Sequence, residues 1–177
     1  MTAEKRILVV HYSLSGNTER VAEDLATRLG AEREKIGDRK NRRGLLGYLR
    51  AALDSVREQP AELSGLDKNP NDFALTLIGT PVWAGKITPA VRTYLRMNRG
   101  RFNDVAFFTT AGSTAAEKVT PAMERLAGRQ AVAVAGFNYV DLKTESLYEK
   151  KISAFINGLQ RDRTCEVCGQ EPKHAHT

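Results

Sequence analysis

Residues 7–18, Ile-Leu-Val-Val-His-Tyr-Ser-Leu-Ser-Gly-Asn-Thr, change character twice within a short span. A continuous apolar run, the pattern of a buried strand, ends in a loop of hydroxyls and one glycine. A helical pattern begins at once. Val21, Leu25 and Leu29 recur at four-residue spacing with Ala22 and Ala26 beside them, while Glu19, Arg20, Glu23, Asp24 and Arg28 face away. Gly30 ends the helix. A buried strand that feeds a helix through so short a loop commits the chain to a βα layer arrangement.

The loop has a chemistry of its own. It aims backbone N–H groups and hydroxyls at one point in front of a helix N-terminus, which is how proteins hold a phosphate. Ser13, Ser15 and Thr18 offer hydroxyls, Gly16 permits close approach or positive φ, and Asn17 caps the helix or donates its amide. Taken alone, the stretch leaves two readings open: a phosphate cradle, or an ordinary turn whose Ser and Asn only cap. It has neither the Lys of a P-loop nor the three glycines of a dinucleotide fingerprint.

The βα pattern repeats down the chain. Strands are expected at 5–11, weakly at 31–36, then at 73–79, 105–109 and 130–136. Helices are expected at 17–29 and 45–58, after Pro89 with Val91, Tyr94 and Leu95, around Val119, Met123 and Leu126, and from Ser146 through Ile152, Phe155, Ile156 and Leu159. Thr114/Glu117 and Ser146/Glu149 read as capping boxes. Five βα units with buried strands make an α/β protein, a parallel sheet with helices on both faces. Residues 1–160 form the domain. Residues 161–177 are expected to be a polar, disordered tail.

In such sheets ligands sit beyond the carboxyl ends of the strands. The loops after the first, third and fourth strands meet there. The second of these, Thr80-Pro81-Val82-Trp83-Ala84-Gly85-Lys86, holds the chain's one tryptophan. A tryptophan on a Gly/Pro loop is poorly placed for the core and well placed against a flat ring. The third, Thr110-Ala111-Gly112-Ser113, is small and flat.

With these three loops in order, the chain resembles the flavodoxin family and its FMN-dependent reductase relatives over about residues 5–160. The resemblance implies a flavodoxin-like three-layer sandwich whose five-stranded parallel sheet has the order 2-1-3-4-5. It implies that Ser13, Ser15, Gly16, Asn17 and Thr18 hold the phosphate of FMN. It implies that Pro81, Val82, Trp83, Ala84 and Gly85 line one side of the flavin, and that Thr110, Ala111 and Gly112 touch its pyrimidine side or ribityl chain. Two features depart from the electron carriers of that family. Carriers are typically acidic, whereas this chain has a formal net charge of +6. Carriers often stack an aromatic on each face of the ring, and the third loop has none; Tyr12, Phe137 or Tyr139 are the candidates to close that face.

Both departures lean toward an enzyme, an FMN-dependent oxidoreductase that takes electrons from NADH or NADPH and passes them to a small acceptor such as a quinone. The alternative is a flavodoxin-type electron carrier that serves a redox partner protein. The chemistry belongs to the flavin, so no catalytic side chain is expected. His11 is read as structural, and Lys86 is a candidate to stabilise anionic reduced flavin. A homodimer, in which a neighbour walls the open face, suits a reductase.

Composition sets the remaining bounds. Apolar residues make up 41% and charged residues 27%, the profile of a globular domain. No run is apolar enough to span a bilayer, no leader is evident, and the expected setting is the cytoplasm. The basic cluster of residues 39–50 is read as a solvated helix start rather than an anion site, and no nucleic-acid motif is present. The body has no cysteine. Cys165 and Cys168, with His174 and His176, lie in the tail; an inert tail is favoured over metal binding, so no metal ligand is assigned.

Overall fold

The computed structural model describes residues 6–38, 63–112 and 118–168, with side chains as far as residue 160. The expected helix at 45–58, the basic cluster of residues 39–50, Ser113, the Thr114/Glu117 box and the side chains of Cys165, Cys168, His174 and His176 lie outside the described residues and side chains.

Five parallel strands carry the fold: β1 (Ile7–His11), β2 (Glu32–Lys35), β5 (Leu75–Trp83), β7 (Asp104–Thr110) and β8 (Ala131–Phe137). Their spatial order is β2-β1-β5-β7-β8, which is 2-1-3-4-5 when these five are counted alone. Parallel pairing runs from Leu8↔Glu32 on one side of β1 to Ile7↔Leu75 on the other, and onward through Leu75↔Asp104. Two small additions surround this sheet. The two-residue strand β6 (Lys86–Ile87) pairs back antiparallel on β5. β3 (Gly37–Asp38) and β4 (Leu63–Ser64) form a separate antiparallel ladder.

Alternation along each strand builds two cores. Leu8, Val10, Ile78 and Phe107 point toward α2 (Pro89–Met97) and α3 (Thr120–Ala127), where Val91, Tyr94, Leu95 and Met123 meet them. Val9, Leu77 and Phe108 point the other way, onto Val21 and Leu25 of α1 (Asn17–Leu29) and Ile152 and Phe155 of α5 (Glu145–Cys168). Each of these side chains contributes about 1.5–3 kcal/mol relative to leaving it in water. Gly79 is required by this packing. A Cβ there would stand 2.2 Å from Cζ of Phe108, so only hydrogen lets β5 lie against that ring.

β2, the weakest sequence expectation, forms at the sheet edge despite its Glu-Arg-Glu-Lys sequence. Charges suit an edge strand because they discourage further pairing. Its inward Glu34, 6% exposed, accepts the backbone N–H groups of Asp67 and Lys68 at 2.7 and 2.8 Å.

Three expectations are corrected. β5 does not stop at Gly79 but continues to Trp83. The capping box falls at Asn138/Asp141, opening the short helix α4 (Tyr139–Lys143), with reciprocal bonds of 2.8 and 2.9 Å. Ser146 is not a cap, because the N–H groups of Leu147 and Tyr148 already donate to the carbonyl of Thr144. Finally, α5 continues as helix to Cys168, so 161–168 is helical backbone where a disordered tail was expected. No helix among the described residues is long and apolar enough to cross a membrane.

Candidate functional site

The turn between β1 and α1 is built on Gly16. Its φ of 91° is a left-handed conformation that L side chains rarely adopt, and it serves as the helix N-cap without a side-chain capping bond. Its N–H donates to Oγ of Ser13 at 3.1 Å, closing the loop on itself. The first helical bond follows at once, from the N–H of Arg20 to the carbonyl of Gly16 at 2.9 Å. The remaining N–H groups of the first turn of α1 have no intrahelical acceptor, and the positive end of the helix dipole stands behind them.

The hydroxyl residues of this loop divide by role. Ser13 holds the turn. Thr18 is 1% exposed, and its Oγ1 lies 2.7 Å from Oγ1 of Thr110 at the end of β7, a buried bond that ties the start of α1 to the third loop. Ser15 and Asn17 are exposed and face a cleft. Asn17 is the first helical residue rather than the cap.

The second loop is a hairpin. Ala84 (φ 49°) and Gly85 (φ 71°) are both left-handed, the requirement of a tight two-residue turn, and they reverse β5 into β6 with Trp83 opposite Lys86. Trp83 is therefore a strand residue. It is 6% exposed and packs edge-on against Tyr12, ring centroids 5.8 Å apart at 81°. The expectation of a tryptophan poorly placed for the core is corrected: the added length of β5 carries the indole inward, and only its rim reaches the cleft.

Ser15, Asn17, Pro81, Val82, Trp83, Thr110, Ala111, Gly112 and Tyr139 line one shallow cleft of about 160 Å³, open to solvent. All three loops expected to meet do so, and no charged side chain is among the lining residues. A Cβ built on Gly16 or Gly112 meets no atom within 4 Å, so both glycines border open space. The N–H of Ala111 is already committed to the carbonyl of Phe137 at 2.9 Å.

Other expected residues fall elsewhere. Gly85 and Lys86 line a neighbouring cleft instead, and Ala84 lines neither. Of the three aromatics considered for the far side, Tyr12 and Phe137 are core residues. Tyr139, 58% exposed, is the one that reaches the cleft. Its place depends on the Asn138/Asp141 cap, which the sequence carries as Asn-x-x-Asp. His11 is fully buried with no hydrogen-bond partner for either ring nitrogen among the described residues. Burial lowers its pKa to about 4, with Glu19 opposing and Arg33 and Lys35 adding to the fall. It stays neutral above that and lines no part of the cleft.

No family model and no curated protein matches the sequence. Solved structures do match in fold. A flavoprotein from Lactobacillus acidophilus, crystallised in complex with FMN, is 23% identical, with a TM-score of 0.64 over 79% of this chain and 97% of its own. The apo-form of the flavoprotein from that organism, solved by NMR, is 24% identical, with a TM-score of 0.59 over 78% and 97% of the two chains. Oxidised flavodoxin 2 from Bacillus cereus is 15% identical, with a TM-score of 0.54 over 89% and 99%. The fold is flavodoxin-like.

Proposed function

We propose that the chain binds FMN in the three-loop cleft and is an oxidoreductase that passes electrons from a nicotinamide cofactor to a small acceptor such as a quinone. The observation that carries the reading is the convergence of Ser15, Asn17, Pro81–Trp83 and Thr110–Gly112 on one cleft, with open space over Gly112. The cleft lies at the carboxyl ends of β1, β5 and β7, where this fold leaves its loops free to bind. FMN is also the ligand of the Lactobacillus acidophilus structure.

The residues suit the group. Ser15, the Asn17 amide and the free N–H groups of the first turn of α1 form a donor set for a phosphate dianion without any cationic side chain. The rim of Trp83 and the ring of Tyr139 supply aromatic surface for an isoalloxazine. Thr18 and Thr110, bonded to each other, fix the spacing between the phosphate side and the third loop. With the N–H of Ala111 occupied, Gly112 is the next backbone donor on that loop. Bound FMN supplies two-electron chemistry toward a hydride donor and one- or two-electron chemistry toward an acceptor.

One observation favours a second reading, an electron carrier. Tyr139 stands in the same cleft as Trp83, so aromatic surface comes from two sides. The two readings separate in one assay. FMN-loaded protein alone oxidises NADPH or NADH with a quinone present if it is the enzyme. A carrier does so only when a partner reductase is added.

A further inference from the structure

A second cleft opens on the other side of the β5–β6 hairpin, between α2 and α3, which lie side by side. Its volume is about 830 Å³, counted with the solvent space at its mouth. Lys86, Arg92, Arg96, Lys118 and Arg125 all line it, and no acidic residue does so among the described residues. Lys86 comes from β6, the two arginines Arg92 and Arg96 from successive turns of α2, Lys118 from just before α3, and Arg125 from its last turn.

Arg92 forms a fixed floor to this cleft. It is 2% exposed, and one guanidinium nitrogen donates to the carbonyl of Ile87 at 3.1 Å. Lys86, Lys118 and Arg125 are exposed and pair with no carboxylate among the described residues. Val119, at the start of α3, also lines the cleft, and that helix begins without a side-chain capping bond. Lys86, Lys118 and Arg125 around one concavity repel one another, and a bound polyanion relieves that repulsion. Guanidinium and ammonium groups converging from several directions match the oxygens of adjoining phosphates better than a single carboxylate.

We infer that this cleft is a second anion site, distinct from the three-loop cleft, that takes a diphosphate group carried by a nucleotide. Two sources share that chemistry: a dinucleotide electron donor, whose pyrophosphate links its two halves, and a free nucleoside diphosphate. The inference does not require the flavin reading.

The test is calorimetric titration of sodium pyrophosphate into the full-length protein in about 0.15 M salt, where diffuse surface attraction is screened. Saturable binding at one site is expected, with the same Kd whether or not FMN is present. Lys118→Ala and Arg125→Ala each weaken it by about tenfold. Lys150→Ala, which removes an exposed charge on α5, leaves it unchanged. Displacement by NADPH at lower concentration than ADP identifies the dinucleotide as the source, and the reverse order identifies the mononucleotide; either supports the site. No saturable binding overturns the inference. So does equal weakening by Lys150→Ala, because the effect is then general charge. Displacement of pyrophosphate by FMN overturns it too, since the anion then sits at the loop of Gly16.

Discussion

The two faces of the sheet use charge in opposite ways. On the α1/α5 face Arg20, Arg28 and Lys151 are bound to the protein itself. Arg28 bridges Asp24 at 2.8 Å and Glu149 at 2.6 Å, joining α1 to α5. Arg20 donates to the carbonyl of Leu142 and lies 4.6 Å over the ring of Tyr148. Lys151 bonds Asp141 at 2.7 Å, steadying the cap that positions Tyr139. On the α2/α3 face Lys86, Lys118 and Arg125 have no such partners among the described residues and surround a cleft. One face closes on its own charges and the other presents them. A net charge of +6 does not distinguish these arrangements; placement on the elements does.

The largest effect is expected where the closed face is tightest. Gly79→Ala forces a Cβ into the Phe108 ring, and urea unfolding should show a loss of about 3 kcal/mol. A loss below about 1 kcal/mol would mean that this face yields more readily than its packing indicates. Next comes the neutral cleft. Ser15→Asp places a negative charge beside the proposed phosphate position and should weaken FMN binding by about 100-fold. Pyrophosphate binding at the cationic cleft should not change, and parallel titrations check that the two clefts are separate.

His11 tests the interior of the closed face. Its pKa is about 4 in the fold and 6.5 when unfolded, so the unfolded chain binds the extra proton first. This contribution to stability is intact above pH 6.5 and falls as the pH drops toward 4, the loss reaching about 2 kcal/mol at pH 5. His11→Leu should remove that slope, which chemical denaturation at pH 8 and pH 5 measures. The smallest effects concern surface charges. Arg28→Gln should cost less than about 1 kcal/mol, because its ion pairs are partly solvated. Arg125→Gln should stay within about 0.5 kcal/mol. Equal and substantial losses for both would erase the contrast between the faces.

Much of this was legible in the sequence because the signals were local and redundant. The strand-loop-helix at 7–18, the buried strands and their crossover helices follow from apolar periodicity, and the parallel order follows from the resemblance those loops carry. The misplaced features depend on information beyond the local pattern. Gly79-Thr80-Pro81 reads as the end of a strand, yet β7 continues to pair with β5 as far as Pro81↔Thr110 and draws Trp83 into the core. Ser-x-x-Glu at 146–149 matches a capping box in composition, but α5 has already begun at Glu145. The hydroxyls of Ser13 and Thr18 look equivalent to that of Ser15. Only the fold shows that the first closes the turn, the second bonds Thr110, and the third stays exposed on the cleft. The cationic cleft gathers residues from β6, α2 and α3 that share no motif.

The central claim is that backbone donors at the start of α1 grip the phosphate of a flavin mononucleotide. Equilibrium titration of the purified protein with FMN and with riboflavin, followed by quenching of flavin fluorescence, tests it most directly. The account predicts one FMN per chain and binding of riboflavin weaker by at least about 100-fold, because only FMN carries the phosphate. Equal affinity for the two, or no binding of either, would contradict it.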